Sequence, residues 1–238
     1  MAGLPPFVLE PFNDRCRVTC EEREHVVVGV SPGNSYFRAE LFASLLGWLC
    51  EEFRQVDVVV PDSALRYTYL ALGYSERRAA KKVHTEVSVL RNRVERGWSA
   101  GGGRRPRDGV YLMSDLVGRD SYQSLLARAE EAMDGDPTLR LTGLRMTRVV
   151  LLSRGQGAEP TSGQLEQGLR YLVAELPFFL SSADIFGVPS SVCVYHQEVP
   201  LADVIFAGGS PLCPSAQQAY AVVRAVDAPG RRPERVTA

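Results

Sequence analysis

The sequence predicts an α/β fold, a single domain with a mainly parallel sheet flanked by helices. Short valine-rich runs are apolar on both faces, which is typical of buried parallel strands, and they alternate with amphipathic helical segments. The 238 residues lie at the upper end of the range for one α/β domain. We therefore expect one domain over residues 1–226 and a disordered tail over residues 227–238, where proline and arginine are concentrated.

The first strand–helix–strand unit supplies the clearest pattern. Val26–Val30 predicts a buried strand that ends at Ser31, and Val56–Pro61 predicts a second strand. A helix is predicted between them from Ser35, with apolar residues at helical spacing: Phe42, Leu46, Leu49 and Phe53. The length of this unit is sufficient for a parallel crossover.

A longer helix is predicted over residues 75–97, with Ser75 as its N-cap. Its buried stripe consists of Val83, Val87, Leu90 and Val94. Its remaining surface is basic, with Arg77, Arg78, Lys81, Lys82, Arg91, Arg93 and Arg96. Such a face is typical either of a solvated helix or of a surface that binds nucleic acid. We expect the following segment, Gly101–Arg107, to be a flexible loop, because it is too rich in glycine and charge to pack.

The remaining elements have softer boundaries. They are strands at 109–113, 190–195 and 218–224, and helices at 119–134 and 161–180. The segment 144–152 is apolar, but its pattern does not distinguish helix from strand.

The composition excludes several classes of protein. A hydrophobic content of 45% and a charged content of 23% are ordinary for a globular chain. No apolar run approaches the roughly 18 residues that cross a bilayer, and the first residues lack the pattern of a secretion signal, so we expect a cytoplasmic protein without a membrane partner. The net charge of -1 argues against general binding to polyanions such as DNA, but it allows a local basic face.

The cysteines and histidines do not suggest a disulfide framework or a metal site. The five cysteines are scattered and form no CxxC pair. The chain has only three histidines, and they do not complete a ligand set with Cys16 and Cys20. We therefore predict no metal.

Ser31 is the first candidate catalytic residue, because it follows a buried strand at the sheet edge where ligand sites form. The surrounding string Gly29-Val-Ser31-Pro-Gly33 matches the G-x-S-x-G pattern of serine hydrolases. A hydrolase would need a relay, for which Asp184 and His196 are the available pair. Locally, Ser31 could equally serve only to cap the helix that follows.

Further candidate residues lie on a later helix and strand. Tyr171 and Glu175 are four residues apart and therefore share one face of the predicted helix, where together they could bind a protonated amine. Tyr195 and His196 end a predicted buried strand and should reach the same sheet edge as Ser31. The amide of Asn34 could orient a serine or a bound carbonyl. Ordinary structural roles also fit each of these residues.

Two longer motifs bring these candidates together. His25-Val-Val-Val-Gly29-Val-Ser31 and Tyr171-Leu-Val-Ala-Glu175-Leu-Pro177 resemble the two signature motifs of the tRNA-dependent cyclodipeptide synthases. The similarity extends through Val58-Val-Val-Pro-Asp62 and Val188-Pro-Ser-Ser-Val192. Asn34, Tyr195 and His196 resemble the Asn-Tyr-His branch of that family.

The resemblance implies a Rossmann-type domain similar to the catalytic domain of class I tyrosyl- and tryptophanyl-tRNA synthetases. It implies a monomer that uses two aminoacyl-tRNAs and needs neither ATP nor a metal. Ser31 would accept the first aminoacyl group, Tyr171 and Glu175 would hold its amine, and Tyr195 would assist release of a cyclic dipeptide. The basic helix would bind tRNA.

The resemblance also implies two aminoacyl pockets. The first would be lined by Val27, Gly29, Met113, Phe178 and Phe179. The second would involve Val59, Ser153, Arg154, Glu198 and Pro200. A serine hydrolase and a non-catalytic tRNA-binding relative of the synthetases are the alternatives to this function.

Overall fold

The structure is a computed structural model that describes residues 7–31, 38–102, 104–155 and 157–226. The strands within these ranges are β1 Phe7–Pro11, β2 His25–Gly29, β3 Gln55–Val60, β4 Gly109–Leu112, β5 Ser191–Tyr195 and β6 Gln218–Ala225. The helices are α1 Asp14–Glu22, α2 Ala39–Glu52, α3 Asp62–Ala71, α4 Glu76–Ala100, α5 Asp120–Gly135, α6 Pro137–Arg154, α7 Ser162–Phe186 and α8 Pro200–Phe206.

The strands form one sheet in the order β1-β6-β5-β2-β3-β4. Every neighbouring pair is parallel except β1 and β6, which are antiparallel. The predicted α/β class with a mainly parallel sheet is confirmed. The chain runs from β2 outward to β3 and β4 and then returns to β5 on the opposite side of β2. The gap between β2 and β5 is therefore the switch point at which open α/β sheets bind ligands.

The central strands form because their side chains are apolar on both faces. Val26, Val27 and Val28 are at most 1% exposed, as expected for a parallel strand covered on both sides. Helix α7 packs on β5 and β6, while α2 and α4 pack on β3. These helices bury the sheet and leave its carboxyl edge accessible between them.

The structure extends the predicted elements in several places. The untyped segment 144–152 belongs to α6, and the elements β1, α1, α3 and α8 had no predicted counterpart. Ser75 stands at the N-cap position of α4, but its side chain makes no capping hydrogen bond. The predicted helix start at Ser35 and the tail over residues 227–238 lie outside the described residues.

Helix α7 is broken near its C-terminal end, just after the predicted end at Leu180. Ser181 has the non-helical angles φ -164° and ψ 77°, so the helical hydrogen-bond pattern is interrupted at this residue. The freed N–H of Ser182 donates to Oε1 of Gln218 at 2.6 Å. The fully buried side chain of Gln218 thus caps the second part of α7 from the sheet.

The amino edge of the sheet contains a buried polar network. His25 Nε2 donates to Asp57 Oδ2 at 3.2 Å, and His25 Nδ1 lies 2.8 Å from the Ser191 hydroxyl. Gln55 also donates to Asp57 Oδ2, at 2.8 Å. His25, Asp57 and Ser191 are at most 1% exposed. The network joins three neighbouring strands, β3, β2 and β5, inside the core.

The expectation that Gly101–Arg107 is too polar and flexible to pack is wrong at Arg105. Its guanidinium donates to both carboxylate oxygens of Asp108 and to the carbonyl oxygens of Cys50 and Phe53. Asp108 in turn accepts the N–H of Val56 at 2.9 Å. The buried carboxylate attracts the arginine and fixes this loop to β3, which composition alone does not reveal.

No helix in the described ranges is both long enough and apolar enough to cross a membrane.

Candidate active site

A cavity of about 330 Å³ opens at the carboxyl edge of the sheet. It lies beside the switch point, because Ser31 follows β2 and Tyr195 ends β5. Helices α6 and α7 and the start of α8 complete its wall. The topology therefore brings three distant segments of the chain to one site.

Ser31 and Tyr195 form the hydroxyl pair of this cavity. The Ser31 Oγ and Tyr195 Oη atoms are 2.7 Å apart, so one hydroxyl donates to the other. Both residues line the cavity, and neither is fully buried. A serine in this position is accessible to a substrate and has a phenol within proton-transfer distance.

Tyr171 and Glu175 provide the second polar pair, on one face of α7. The Tyr171 hydroxyl donates to Glu175 Oε1 at 2.7 Å. Burial raises the pKa of Glu175 to about 7, although the hydrogen bond from Tyr171 acts in the opposite direction. Burial, followed by the charge of Glu175, raises the pKa of Tyr171 well above its ordinary value. The side chains keep some exposure only because they face the cavity. A cation would stabilise the ionised form of Glu175.

Most of the remaining lining is apolar. The predicted pocket residues that line this one cavity are Val27, Gly29, Val59, Met113, Phe178, Phe179, Glu198 and Pro200. A Cβ atom built on Gly29 would have no heavy atom within 4 Å. The space above Gly29 is therefore open and can hold part of a ligand.

The sequence analysis missed several lining residues. Met146, Val149 and Val150 come from α6, and Cys193 comes from β5. The first three have helical spacing, which is the signal that could have identified the untyped segment as a helix facing the site. Cys193 lies two residues before Tyr195 and so shares its face of the strand.

The structure does not bring every predicted site residue to this lining. The Ser153 hydroxyl donates to the Val150 carbonyl oxygen, and Arg154 pairs with Glu86 at 3.2 Å. The His196 ring packs edge-on against the Tyr195 ring, with 4.3 Å between the ring centroids. Burial lowers the pKa of His196 to about 4. Asn34 lies outside the described residues.

Among the residues that the structure describes, Asp184 does not join Ser31 in a hydrolase relay. Asp184 is exposed on α7, and the hydroxyl that meets Ser31 belongs to Tyr195. The described part of the chain does contain a Ser-His-Asp sequence of hydrogen bonds, but it joins Ser191, His25 and Asp57 and is buried at the opposite edge of the sheet. A substrate cannot reach that serine.

The basic face of α4 is present as predicted. Six of its cations are exposed and Arg93 is half-buried; the exposed residues are Arg77, Arg78, Lys81, Lys82, Arg91 and Arg96. Within the described ranges none of the seven forms an ion pair with an acid. Glu86 on the same helix turns away from them toward Arg154. The helix therefore presents a positive surface that its own acids do not neutralise.

The described residues contain no group of three or more metal-ligating side chains. The absence of a metal and of ATP from the reaction remains a prediction.

Comparisons with known proteins point to one family. The family model described as cyclodipeptide synthase matches residues 7–225. The cyclo(L-leucyl-L-phenylalanyl) synthase of Streptomyces noursei is 32% identical over 94% of this chain and 96% of its own length. The cyclo(L-tyrosyl-L-tyrosyl) synthase of Mycobacterium tuberculosis is 34% identical over 91% of this chain and 75% of its own length.

A solved structure shows the same relationship at the level of the fold. A cyclodipeptide synthetase from Mycobacterium tuberculosis, described as related to type I tRNA synthetases, superposes with a TM-score of 0.80. It is 32% identical, and the match covers 94% of this chain and 96% of that one. The chain therefore belongs to the cyclodipeptide synthase family, and it is a tRNA-dependent aminoacyltransferase.

Proposed function

We propose that this protein joins the aminoacyl groups of two aminoacyl-tRNAs into a cyclic dipeptide, with Ser31 as the covalent acceptor. The observation that supports it most strongly is the accessible Ser31–Tyr195 hydroxyl pair at a cavity that also holds the buried carboxylate of Glu175. An aminoacyl-tRNA is an activated ester, so the transfer requires a nucleophile and proton transfer but no further activation.

In the first half of the reaction, Ser31 Oγ attacks the ester carbonyl of the first aminoacyl-tRNA. The new acyl–oxygen bond replaces the bond to the terminal ribose, whose oxygen leaves with a proton. Tyr195, 2.7 Å from Ser31, is the group that passes this proton. Tyr171 and Glu175 hold the ammonium group of the acyl-enzyme, which stabilises the ionised carboxylate.

In the second half, the amine of the acyl-enzyme attacks the ester of the second aminoacyl-tRNA. Glu175 accepts a proton from this amine, a role that suits a carboxyl group whose pKa is raised to about 7. The second tRNA leaves with this proton on its ribose oxygen, which restores the Glu175 carboxylate, and the resulting dipeptidyl group remains on Ser31. Its terminal amine then attacks the Ser31 ester, which forms the second amide bond and regenerates the serine. The balance is two ester bonds to tRNA broken and two amide bonds formed.

The tRNA would lie along the basic face of α4. Seven cations that form no ion pair with an acid among the described residues favour a ligand bound through its phosphates. A solvated helix face is the alternative, and it predicts no change in tRNA affinity when the charges are removed. A cytoplasmic location remains an expectation, because charged tRNAs are used in that compartment. A monomeric state also remains an expectation.

The amino acids joined are expected to be largely apolar. The cavity lining is mostly aliphatic or aromatic, and apolar pockets select apolar side chains. The two relatives named above make cyclic dipeptides of leucine with phenylalanine and of tyrosine, so relatives of this similarity differ in the amino acids they use. Glu198, in the predicted second pocket, is exposed and lies near Arg224 at 3.5 Å.

The test is to incubate the purified protein with charged total tRNA and to search for cyclic dipeptides by mass spectrometry. We expect a product with wild type and none with Ser31→Ala, whereas Ser191→Ala should retain the product as a buried-serine control. Absence of product from every charged tRNA mixture would contradict the proposal. Cleavage of simple esters without tRNA, with fluorophosphonate labelling of Ser31, would instead support the hydrolase.

A further inference from the structure

Helix α4 carries one acid, Glu86, whose carboxylate is bound by side chains of two other helices. Its Oε2 atom accepts a hydrogen bond from the Arg154 guanidinium at 3.2 Å, and its Oε1 atom accepts one from the Tyr69 hydroxyl. Arg154 is the last residue of α6, and Tyr69 lies on α3. One carboxylate therefore joins the basic helix to α3 and α6.

The three side chains of this network are shielded from water. The side chains of Glu86 and Arg154 are 32% and 24% exposed, and Tyr69 is 5% exposed. Burial, followed by the hydrogen bond to Glu86, raises the pKa of Tyr69 to about 12, so its hydroxyl remains a donor. Salt screens a partly buried ion pair less than an exposed one. The negative charge of Glu86 is thus matched by a cation that does not belong to α4.

The helical spacing indicates which cation of α4 Glu86 would otherwise neutralise. Lys82 is exposed and lies four residues before Glu86, so the two residues are neighbours on adjacent turns. Helical side chains lean toward the N-terminus of their helix, which is the direction of Lys82. Opposite charges at this spacing attract each other. Without Arg154, the Glu86 carboxylate would compete with a phosphate for Lys82.

We infer that Arg154 is a positioning residue for tRNA binding: it holds the Glu86 carboxylate beside α3 and α6 and so keeps Lys82 available to a phosphate. The inference rests on the proposed function, in which tRNA lies along α4. It gives a role to a residue that the resemblance placed in the second aminoacyl pocket and that the structure places outside the cavity lining.

The experiment measures the Kd for fluorescently labelled, uncharged total tRNA by anisotropy at several salt concentrations. Binding rather than turnover is measured because the positive charge of Arg154 also acts on Tyr171 in the cavity. Arg154→Met should raise the Kd about three- to tenfold at low salt and reduce its salt dependence by about one phosphate contact, because Glu86 then pairs with Lys82. Arg154→Lys keeps the charge and should bind tRNA nearly as wild type does.

The double variant Arg154→Met with Glu86→Gln separates this role from a direct contact between Arg154 and tRNA. Because the competing carboxylate is gone, we expect its Kd to return to within about twofold of wild type. A Kd that stays raised would show that Arg154 itself contacts tRNA and would overturn the inference. An unchanged Kd in folded Arg154→Met would also overturn it if Lys82→Ala weakens binding.

Arg148→Met is the matched control. Arg148 lies on the same helix and pairs with Glu159, which precedes α7 and is not part of α4. This variant loses the same charge and frees an acid elsewhere, so it should leave the Kd unchanged. A rise equal to that of Arg154→Met would assign the effect to net charge alone and overturn the inference.

Glu86→Gln alone tests the inference even if Arg154→Met does not fold. Since Arg154 already matches this carboxylate in wild type, we expect a Kd within about twofold of wild type. Clearly tighter binding would show that Glu86 opposes tRNA in wild type and would overturn the inference. Unaltered affinity in Lys82→Ala would overturn it together with the tRNA surface on α4. Formation of a cyclic dipeptide by wild type would still support Ser31 as the acceptor in that case.

Discussion

The two ends of strand β2 each place a polar side chain, His25 and Ser31, in opposite environments. His25 is buried at the amino edge and has both ring nitrogens within hydrogen-bond distance of side chains on neighbouring strands. Ser31 follows the carboxyl edge and meets one phenol at an open cavity. Residue types typical of a catalytic triad are present at the amino edge, where no substrate can reach them. The comparison teaches that access at the switch point, rather than residue type, is the reason to propose Ser31 as the nucleophile.

The largest expected effect concerns Glu175 at the carboxyl edge. Glu175→Gln removes the group that we propose to hold and deprotonate the amine, and we expect product formation to fall by at least about 100-fold. In wild type the ionised form is required, so activity should rise with pH through about 7, the pKa to which burial raises this carboxyl. Glu131→Gln, at an exposed carboxyl on α5 outside the cavity lining, is the control and should retain activity.

The same variant should have the opposite effect on stability. The pKa of Glu175 rises from 4.5 to about 7 on folding, so its protonated form stabilises the fold at low pH, and this contribution is lost as the pH rises through about 7. Glu175→Gln should therefore be more stable than wild type at pH 8, by up to about 3 kcal/mol in the free energy of unfolding. Its unfolding temperature at that pH should be higher. The difference should vanish near pH 4.5. A variant less stable than wild type at pH 8 would contradict this account of the carboxyl.

The next effect is on the amino edge, where stability rather than chemistry should change. His25→Leu leaves the buried Asp57 carboxylate with Gln55 as its remaining partner, which should cost about 3–5 kcal/mol. We expect the Tm to fall by about 10 °C, while the folded variant acylates Ser31 at nearly the wild-type rate. Thermal unfolding and single-turnover acylation measure the two quantities. Loss of acylation in folded protein would show that the two edges are coupled.

A smaller effect is expected on the basic helix. Arg78→Ala combined with Lys81→Ala should raise the Kd for tRNA about tenfold and reduce the salt dependence of binding by about two phosphate contacts. Arg15→Ala with Arg17→Ala is the matched control, because these cations are exposed on α1. Titration at several salt concentrations measures both quantities. Unaltered affinity at low salt would leave α4 as a solvated helix.

The smallest effects are expected when one methyl group is added at each edge of the sheet, at Gly29 on the carboxyl edge and at Gly109 on the amino edge. Gly29→Ala meets no atom within 4 Å, so stability should change by less than about 1 kcal/mol, while loading of large aminoacyl groups slows. Gly109→Ala meets Asp57 Oδ1 at 2.8 Å and the Tyr111 ring, and this overpacking should cost about 1–3 kcal/mol. Its acylation rate should not change. Thermal unfolding and acylation rates of the two variants provide the comparison, and the reverse pattern would contradict it.

The sequence predicted the elements whose pattern is local. The valines of β2 and β3 identified buried strands because both faces are apolar, and the helical spacing in α4 identified its stripe. The edge strand β1 was missed because it is only five residues long, ends at Pro11 and pairs with Gln218–Ala225, far along the chain. The ion pair between Arg105 and Asp108 was missed because composition does not show which carboxylate an arginine contacts.

The candidate site was predictable mainly through its two motifs. Ser31 and Glu175 lie 144 positions apart, so no local periodicity predicts that they share one cavity. The resemblance to a family predicted it. The position of Cys193 beside Val27 follows only from the register of β2 with β5. The predicted Ser153 and Arg154 do not line the cavity, because the Ser153 hydroxyl and the Arg154 guanidinium bond elsewhere.

The most direct test of the central claim is to identify the acylated residue. The protein is mixed with one charged tRNA, quenched in acid and digested, and the peptides are sequenced by mass spectrometry. We predict an aminoacyl group on the peptide that contains Ser31, at the hydroxyl of that residue, and no adduct in Ser31→Ala. A cyclic dipeptide formed without any adduct on Ser31, or an adduct on another residue that persists in Ser31→Ala, would contradict the account.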